Sequence, residues 1–197
     1  MKLPVIAGLA LFGLPASVMA ATLQVVVVDA GGRPVQNAVI SANPLREPGG
    51  SPRFASTKVM AQRNIQFTPG TLVVPVGSTV SFPNYDKVRH HVFSFSKAKR
   101  FELKLFGRDE SRSVLLDKPG TVAVGCNIHD AMRGFIRVVD APFAGTSDAT
   151  GRLSIAGASS GRYKITVWHP QVRAREQEVS FVGSTAAPVV VRLPMSR

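Results

Sequence analysis

Cys126, His129 and Met132 fall within seven residues, in Val124-Gly125-Cys126-Asn127-Ile128-His129-Asp130-Ala131-Met132. A thiolate, an imidazole and a thioether this close, just after a run that reads as a strand, can converge on one soft metal ion if the loop folds back. The thiolate couples strongly to copper, imidazole suits both Cu(I) and Cu(II), and a thioether is a weak ligand that favours Cu(I). A trigonal site needs a second imidazole. The segment from Asn84 to Phe93 offers His90 and His91. Neighbours on a strand point to opposite faces, so only one of the two can reach a metal. The faces His91-Phe93-Phe95 and Val92-Ser94-Ser96 are both partly apolar, and periodicity does not choose between them. Taken singly, a cysteine is usually a small buried hydrophobe, a methionine is core, and a histidine is a surface or hydrogen-bonded structural residue. Together, in a chain with one Cys and four His, they read as a metal site. The donors suit copper better than zinc, which seldom takes a thioether.

Such ligands need a rigid frame, and the chain supplies strands. Its 197 residues are 45% hydrophobic with a mean hydropathy of +0.13, and 17 Gly with 14 Pro favour short strands and turns over long helices. Leu23 to Val28 is a β-branched run closed by Asp29-Ala30-Gly31-Gly32, and Pro34 to Ala42 reads as a second strand. Asn43 to Pro52 is rich in Pro and Gly and reads as a linker. Strands are then expected over 64–67, 72–75, 78–82, 90–96, 101–105, 114–116, 122–126 and 135–139, before Asp140-Ala141-Pro142 breaks the run. The last third adds 152–155, 163–168, 176–181 and 189–193. This spacing, with no helical period, predicts an all-β chain of sandwiches or Greek-key barrels. Two strands cannot hold a core alone. The first pair is therefore expected to join the strands beyond Pro142, with the middle unit inserted between; three serial pieces are the alternative.

A single cysteine excludes a disulfide framework and a Cys-rich zinc module. The formal charge is +12, and such a balance first suggests nucleic acid. The N-terminus argues otherwise. Lys2, the apolar run Leu3 to Leu14 and Val18-Met19-Ala20 have the form of a secretory signal peptide cleaved after Ala20. The run is short of the ~20 apolar residues of a membrane span. Export to the periplasm or another extracytoplasmic space leaves no nucleic acid partner and no stable membrane span, so the charge points to an anionic partner protein or membrane surface. Lys97, Lys99, Arg100, Lys104, Arg108 and Arg112 interleave with Phe95, Phe101 and Phe106. They read either as a solvated strand face or as a docking surface for an acidic partner. No Ser-His-Asp arrangement, Gly-rich phosphate loop or paired-carboxylate motif stands out, and an enzyme is not expected. His169, in Val167-Trp168-His169-Pro170, reads as structural.

Cys-x-x-His-x-x-Met, preceded by a strand and followed by Gly134 and a β-branched strand, is similar to the copper loop of cupredoxins in its short, amicyanin- and pseudoazurin-like form. Phe67-Thr68-Pro69 and the stretch Leu72 to Asn84 resemble the same family's approach to its first histidine. Residues 28–39, with 146–152 and 161–165, resemble the two ends of a carboxypeptidase-regulatory-like, transthyretin-like sandwich. The whole chain resembles exported methylamine-utilisation-type plastocyanin-like proteins. These resemblances imply a signal peptide over 1–20, a first part of the regulatory-like sandwich with linker over 21–58, a copper domain over 59–140 and the second part over 141–197. The implied fold is a cupredoxin Greek-key β-sandwich plus a second immunoglobulin- or transthyretin-like sandwich. The implied ligands of one type 1 copper ion are His90, Cys126, His129 and an axial Met132, with Asn84 holding the upstream loop. Many cupredoxins carry Asn directly after the first histidine; here His91 stands there. The implied function is an electron carrier, with the edge of His129 as the port in an apolar patch including Ala131, Met132 and Phe135. Its redox partner would carry an acidic docking surface. The alternatives are copper delivery without a redox role, and a metal-free interaction module.

Overall fold

The structure, a computed structural model, describes residues 22–46, 51–181 and 187–195. The segment read as a signal peptide lies outside the described residues, as does 47–50 of the linker. The chain is all-β. Its strands are β1 (Thr22–Val28), β2 (Val39–Pro44), β3 (Ala61–Arg63), β4 (Gln66–Thr68), β5 (Thr71–Pro75), β6 (Ser78–Pro83), β7 (His90–Phe95) and β8 (Arg100–Phe106). They continue with β9 (Ser111–Leu116), β10 (Gly120–Cys126), β11 (Arg133–Val139), β12 (Phe143–Thr146), β13 (Arg152–Ala156), β14 (Gly161–His169), β15 (Val172–Phe181) and β16 (Val189–Arg192). No helix among the described residues is long and apolar enough to cross a membrane.

The first two strands pair with strands beyond Pro142. β1 lies between β13 and β16, with Leu23 opposite Ile155 and Val27 opposite Val191. β2 lies between β12 and β14, with Ala42 opposite both Phe143 and Ile165. Alternation along β1 turns Leu23, Val25 and Val27 inward, where they meet Ile40, Ala42, Tyr163 and Ile165 in one core. Gly151 is required in the turn before β13: its φ is +74°, and a Cβ there would sit 2.4 Å from the Val27 carbonyl oxygen. Ser147, buried, donates its hydroxyl to the Val35 carbonyl at 2.7 Å and accepts from the Ala38 N–H at 3.0 Å. Ser147→Ala should therefore strand a buried donor and cost about 1–3 kcal/mol, seen as an earlier thermal transition.

The middle strands form a five-stranded sheet, in the order β5-β11-β10-β7-β8, and the pairs β3-β4 and β6-β9. They share a core of Phe67, Val80, Phe82, Val92, Phe106, Leu116, Val122 and Ile136. A third cluster joins the two groups of sheets: Val39, Ala144 and Trp168 from one, Val73, Val139 and Phe135 from the other. The Phe135 and Trp168 rings lie edge to face, centroids 5.7 Å apart. At the same place the Asn43 amide donates to the Asp140 carbonyl at 3.1 Å.

Two strand expectations fail for the same reason. Asn64 and Ile65, expected inside a strand, take φ of 56° and 57° and close the β3–β4 hairpin. Successive left-handed residues are the signature of a tight hairpin turn, and Asn-Ile does not announce one as Asn-Gly does. The strand expected from Pro34 begins only at Val39, because Asn37, with φ 59°, turns the chain first.

Candidate metal centre

The site lies where β7 starts and β10 ends. The register Gly125 to Phe93 and Cys126 to Val92 sets these ends side by side. A phenylalanine ring covers the residue before the cysteine: a Cβ on Gly125 would lie 3.1 Å from the Phe93 ring. On β7, His90, Val92 and Ser94 face inward, and His90 is fully buried. His91 faces the other way, its Nε2 2.9 Å from the Glu102 carboxylate.

Cys126 Sγ lies 3.7 Å from His90 Nδ1 and 3.6 Å from His129 Nδ1. The three donor atoms fall within 4.8 Å of one another. Metal bonds of about 2.0–2.3 Å, opened at roughly 110–120°, place a sulfur and a nitrogen about 3.6–3.8 Å apart. The observed spacings are those of donors sharing one ion. The return of the loop is set by its backbone: the Met132 N–H donates to the His129 carbonyl at 2.9 Å, and the Cys126 N–H to the Met132 carbonyl at 3.2 Å. This places Met132, 1% exposed, in the same core as Cys126. A soft thiolate, two imidazoles and a thioether could bind one copper ion.

The upstream loop is held by Asn84, fully buried, whose amide donates to the carbonyls of Val88 at 2.9 Å and Phe106 at 3.2 Å. The tie between the two ligand segments comes from backbone: the Asn127 N–H donates to the His91 carbonyl at 3.0 Å. A side chain after His90 is not needed for it. Sequence reading missed Asp86. Its Oδ2 lies 2.9 Å from His90 Nε2, and it accepts the N–H groups of Asn64 at 2.6 Å and Ile65 at 3.0 Å. Burial pushes the Asp86 carboxyl up, but the bonds from His90, Ile65 and Asn64 outweigh it and hold the group below its ordinary value. A carboxylate four residues before a candidate histidine was the available signal.

Other singled-out residues lie elsewhere. His169 ends β14 in the flanking sheet, outside the cluster; burial pushes its ring pKa down. Met132 is buried and Phe135 packs on Trp168, so neither forms an exposed patch with the half-buried His129. The exposed apolar residues at this end are Ile65, Tyr85, Val88 and Ile128. The interleaved basic and aromatic run divides. Phe106 is buried and Phe101 packs on Phe82, while Phe95 is 72% exposed. Lys99 pairs with Asp117 and Arg112 with Glu110.

No family model and no curated relative matches the chain. Similarities to solved structures are found. A purple cupredoxin from Nitrosopumilus maritimus is 22% identical over 41% of this chain and 96% of its own, with a TM-score of 0.37. An oxidised amicyanin mutant is 21% identical over 50% of this chain and 99% of its own, at 0.39. A copper-containing nitrite reductase from Thermus scotoductus SA-01 is 23% identical over 57% of this chain and 28% of its own, at 0.39.

Proposed function

We propose that the chain is an exported one-electron carrier whose His90, Cys126, His129 and Met132 would hold one type 1 copper ion. The observation that carries this reading is the convergence of Cys126 Sγ with two imidazole Nδ1 atoms at 3.6 and 3.7 Å. Copper bound by such donors cycles between Cu(I) and Cu(II). The chain's own residues do the rest. His90 and Cys126 are buried at strand ends, so the protein sets their positions. His129 is the half-buried one, and its edge is the path for the electron. In the turn and loop that hold His90, Ile65, Tyr85 and Val88 are exposed, as is Ile128 beside His129 in the chain; the Arg63 guanidinium lies 4.9 Å from the Tyr85 ring centre, and Lys87 and Arg89 share the loop. An apolar surface with a cationic rim fits a redox partner bearing acidic groups. In this reading residues 1–20 direct export, 59–140 are a cupredoxin-like unit, and 21–58 with 141–197 form a carboxypeptidase-regulatory-like sandwich. The role is non-enzymatic.

Metal analysis and a visible spectrum of the mature protein test the reading. The expected result is one copper per chain, an intense thiolate-to-Cu(II) band toward the red, and a reversible one-electron potential. A colourless protein that holds Cu(I) and passes it on would be a delivery protein instead. Absence of metal after export would leave an interaction module. Met132→Leu conserves volume, so the fold should lose less than about 1.5 kcal/mol. The coloured site should survive, since Cys126 and both imidazoles remain, and the potential should rise, because even a weak donor would help the more positive Cu(II) more than Cu(I). Loss of colour would show that Met132 is more than a weak axial ligand.

A further inference from the structure

We propose that Asp86 is the positioning residue of this site: its carboxylate fixes the tautomer of His90 and sets negative charge behind it, and the turn at Asn64-Ile65 holds that carboxylate in place. The inference rests on the copper reading above. Asp86 Oδ2 lies 2.9 Å from His90 Nε2, while the other ring nitrogen, Nδ1, faces Cys126 Sγ. A neutral imidazole has one N–H, and an ionised carboxylate can only accept. The proton therefore sits on Nε2, and the Nδ1 lone pair is aimed at the metal position. Among the described residues no Lys or Arg pairs with Asp86, and its side chain is only 10% exposed. Its charge faces His90.

The turn supplies a second, independent observation. Ile65 has φ 57° yet is 43% exposed. A β-branched residue is a true outlier in the left-handed region, and such conformations persist where the surroundings over-determine them. Packing does not impose this one on a half-open side chain. What the conformation achieves is the delivery of two consecutive N–H groups, from Asn64 and Ile65, onto the two oxygens of Asp86. The carboxylate is thereby clamped from one side and offered to His90 from the other. A negative charge in that position favours the more positive, oxidised ion.

The test compares wild type with Asp86→Asn, each copper-loaded. Asp86→Asn removes the charge and turns an N–H donor toward groups that need an acceptor. Cu(II) affinity should fall about 10–100-fold, as for other outer partners of metal-bound histidines. Cu(I) affinity should fall less, so the potential rises, by about 59 mV for each tenfold of difference. An Asp86→Asn protein that folds and keeps wild-type potential and Cu(II) affinity overturns the proposal. If that variant does not fold, nuclear magnetic resonance of wild-type Cu(I) protein decides: a slowly exchanging proton on His90 Nε2 supports the inference, and none overturns it. A wild type with no thiolate band fails the copper reading itself, before any variant is compared, and this inference falls with it.

Discussion

Cys126→Ser should abolish the thiolate-to-copper band and lower copper affinity by more than the roughly 10–100-fold typical of losing an outer partner. The sulfur is the one atom shared by both close contacts, at 3.7 Å from His90 Nδ1 and 3.6 Å from His129 Nδ1. A thiol gives up its proton on meeting a metal, whereas a serine hydroxyl stays neutral and hard. The fold should tolerate the change. The serine is slightly smaller, and the two ring nitrogens beside it can pair with its hydroxyl. The melting temperature of the metal-free protein should therefore move little while chelator competition shows the loss of copper. A coloured Cys126→Ser protein would show that the thiolate is not a ligand.

The second large effect separates two adjacent histidines. His90→Ala should empty one corner of the trigonal set, reduce copper affinity sharply, and leave the site open to an added ligand such as imidazole. It also removes a fully buried ring, leaving a cavity and an Asp86 carboxylate that keeps its two N–H donors but loses its ring partner. His91→Asn should do little to binding. The His91 ring lies on the outer face against Glu102, and the contact it makes with the ligand loop runs through its backbone carbonyl, which substitution leaves intact. Copper titration of both variants, with imidazole rescue of the first, reads the difference. If His91→Asn lost copper and His90→Ala kept it, the facing of β7 would be inverted.

Much of this arrangement was legible in the residues. Leu23 to Val28 announces a strand with one buried face because its β-branched run is closed by Asp-Ala-Gly-Gly, and β1 is found there. The Cys126, His129 and Met132 spacing is legible because a thiolate, an imidazole and a thioether in one short loop share little beyond an affinity for soft metals. Four features were not. Periodicity left His90 and His91 equal, since both faces of β7 carry apolar side chains; only the register with β10 turns His90 inward. Asp86 shows in the sequence only as a carboxylate four residues before a candidate histidine, because its other partners are the N–H groups of Asn64 and Ile65, and an N–H has no residue-type signature. The turn that presents them was itself read as strand, for Asn-Ile carries no turn chemistry. The port surface was misjudged too: Phe135 follows the metal loop closely in sequence, yet alternation along β11 sends it to Trp168.

The chain leaves the flanking sheets after β2 and returns at β12, and Ala42 pairs directly with Phe143. For a disordered stretch of about a hundred residues, closing that gap costs about 4 kcal/mol of chain entropy. In the folded protein the Asn43 amide and the Asp140 carbonyl lie 3.1 Å apart, so a folded middle unit would hold that gap closed. Folding order follows from this. The middle unit, whose pairings are more local, is expected to nucleate first and deliver the two halves of the flanking core to each other, while β1 and β13, pairing Thr22 with Ala156, wait for it. A lesion that slows the middle unit will thus hold open sheets that never touch its ligands, leaving the bare edges of β1 and β2 exposed to aggregation during that wait.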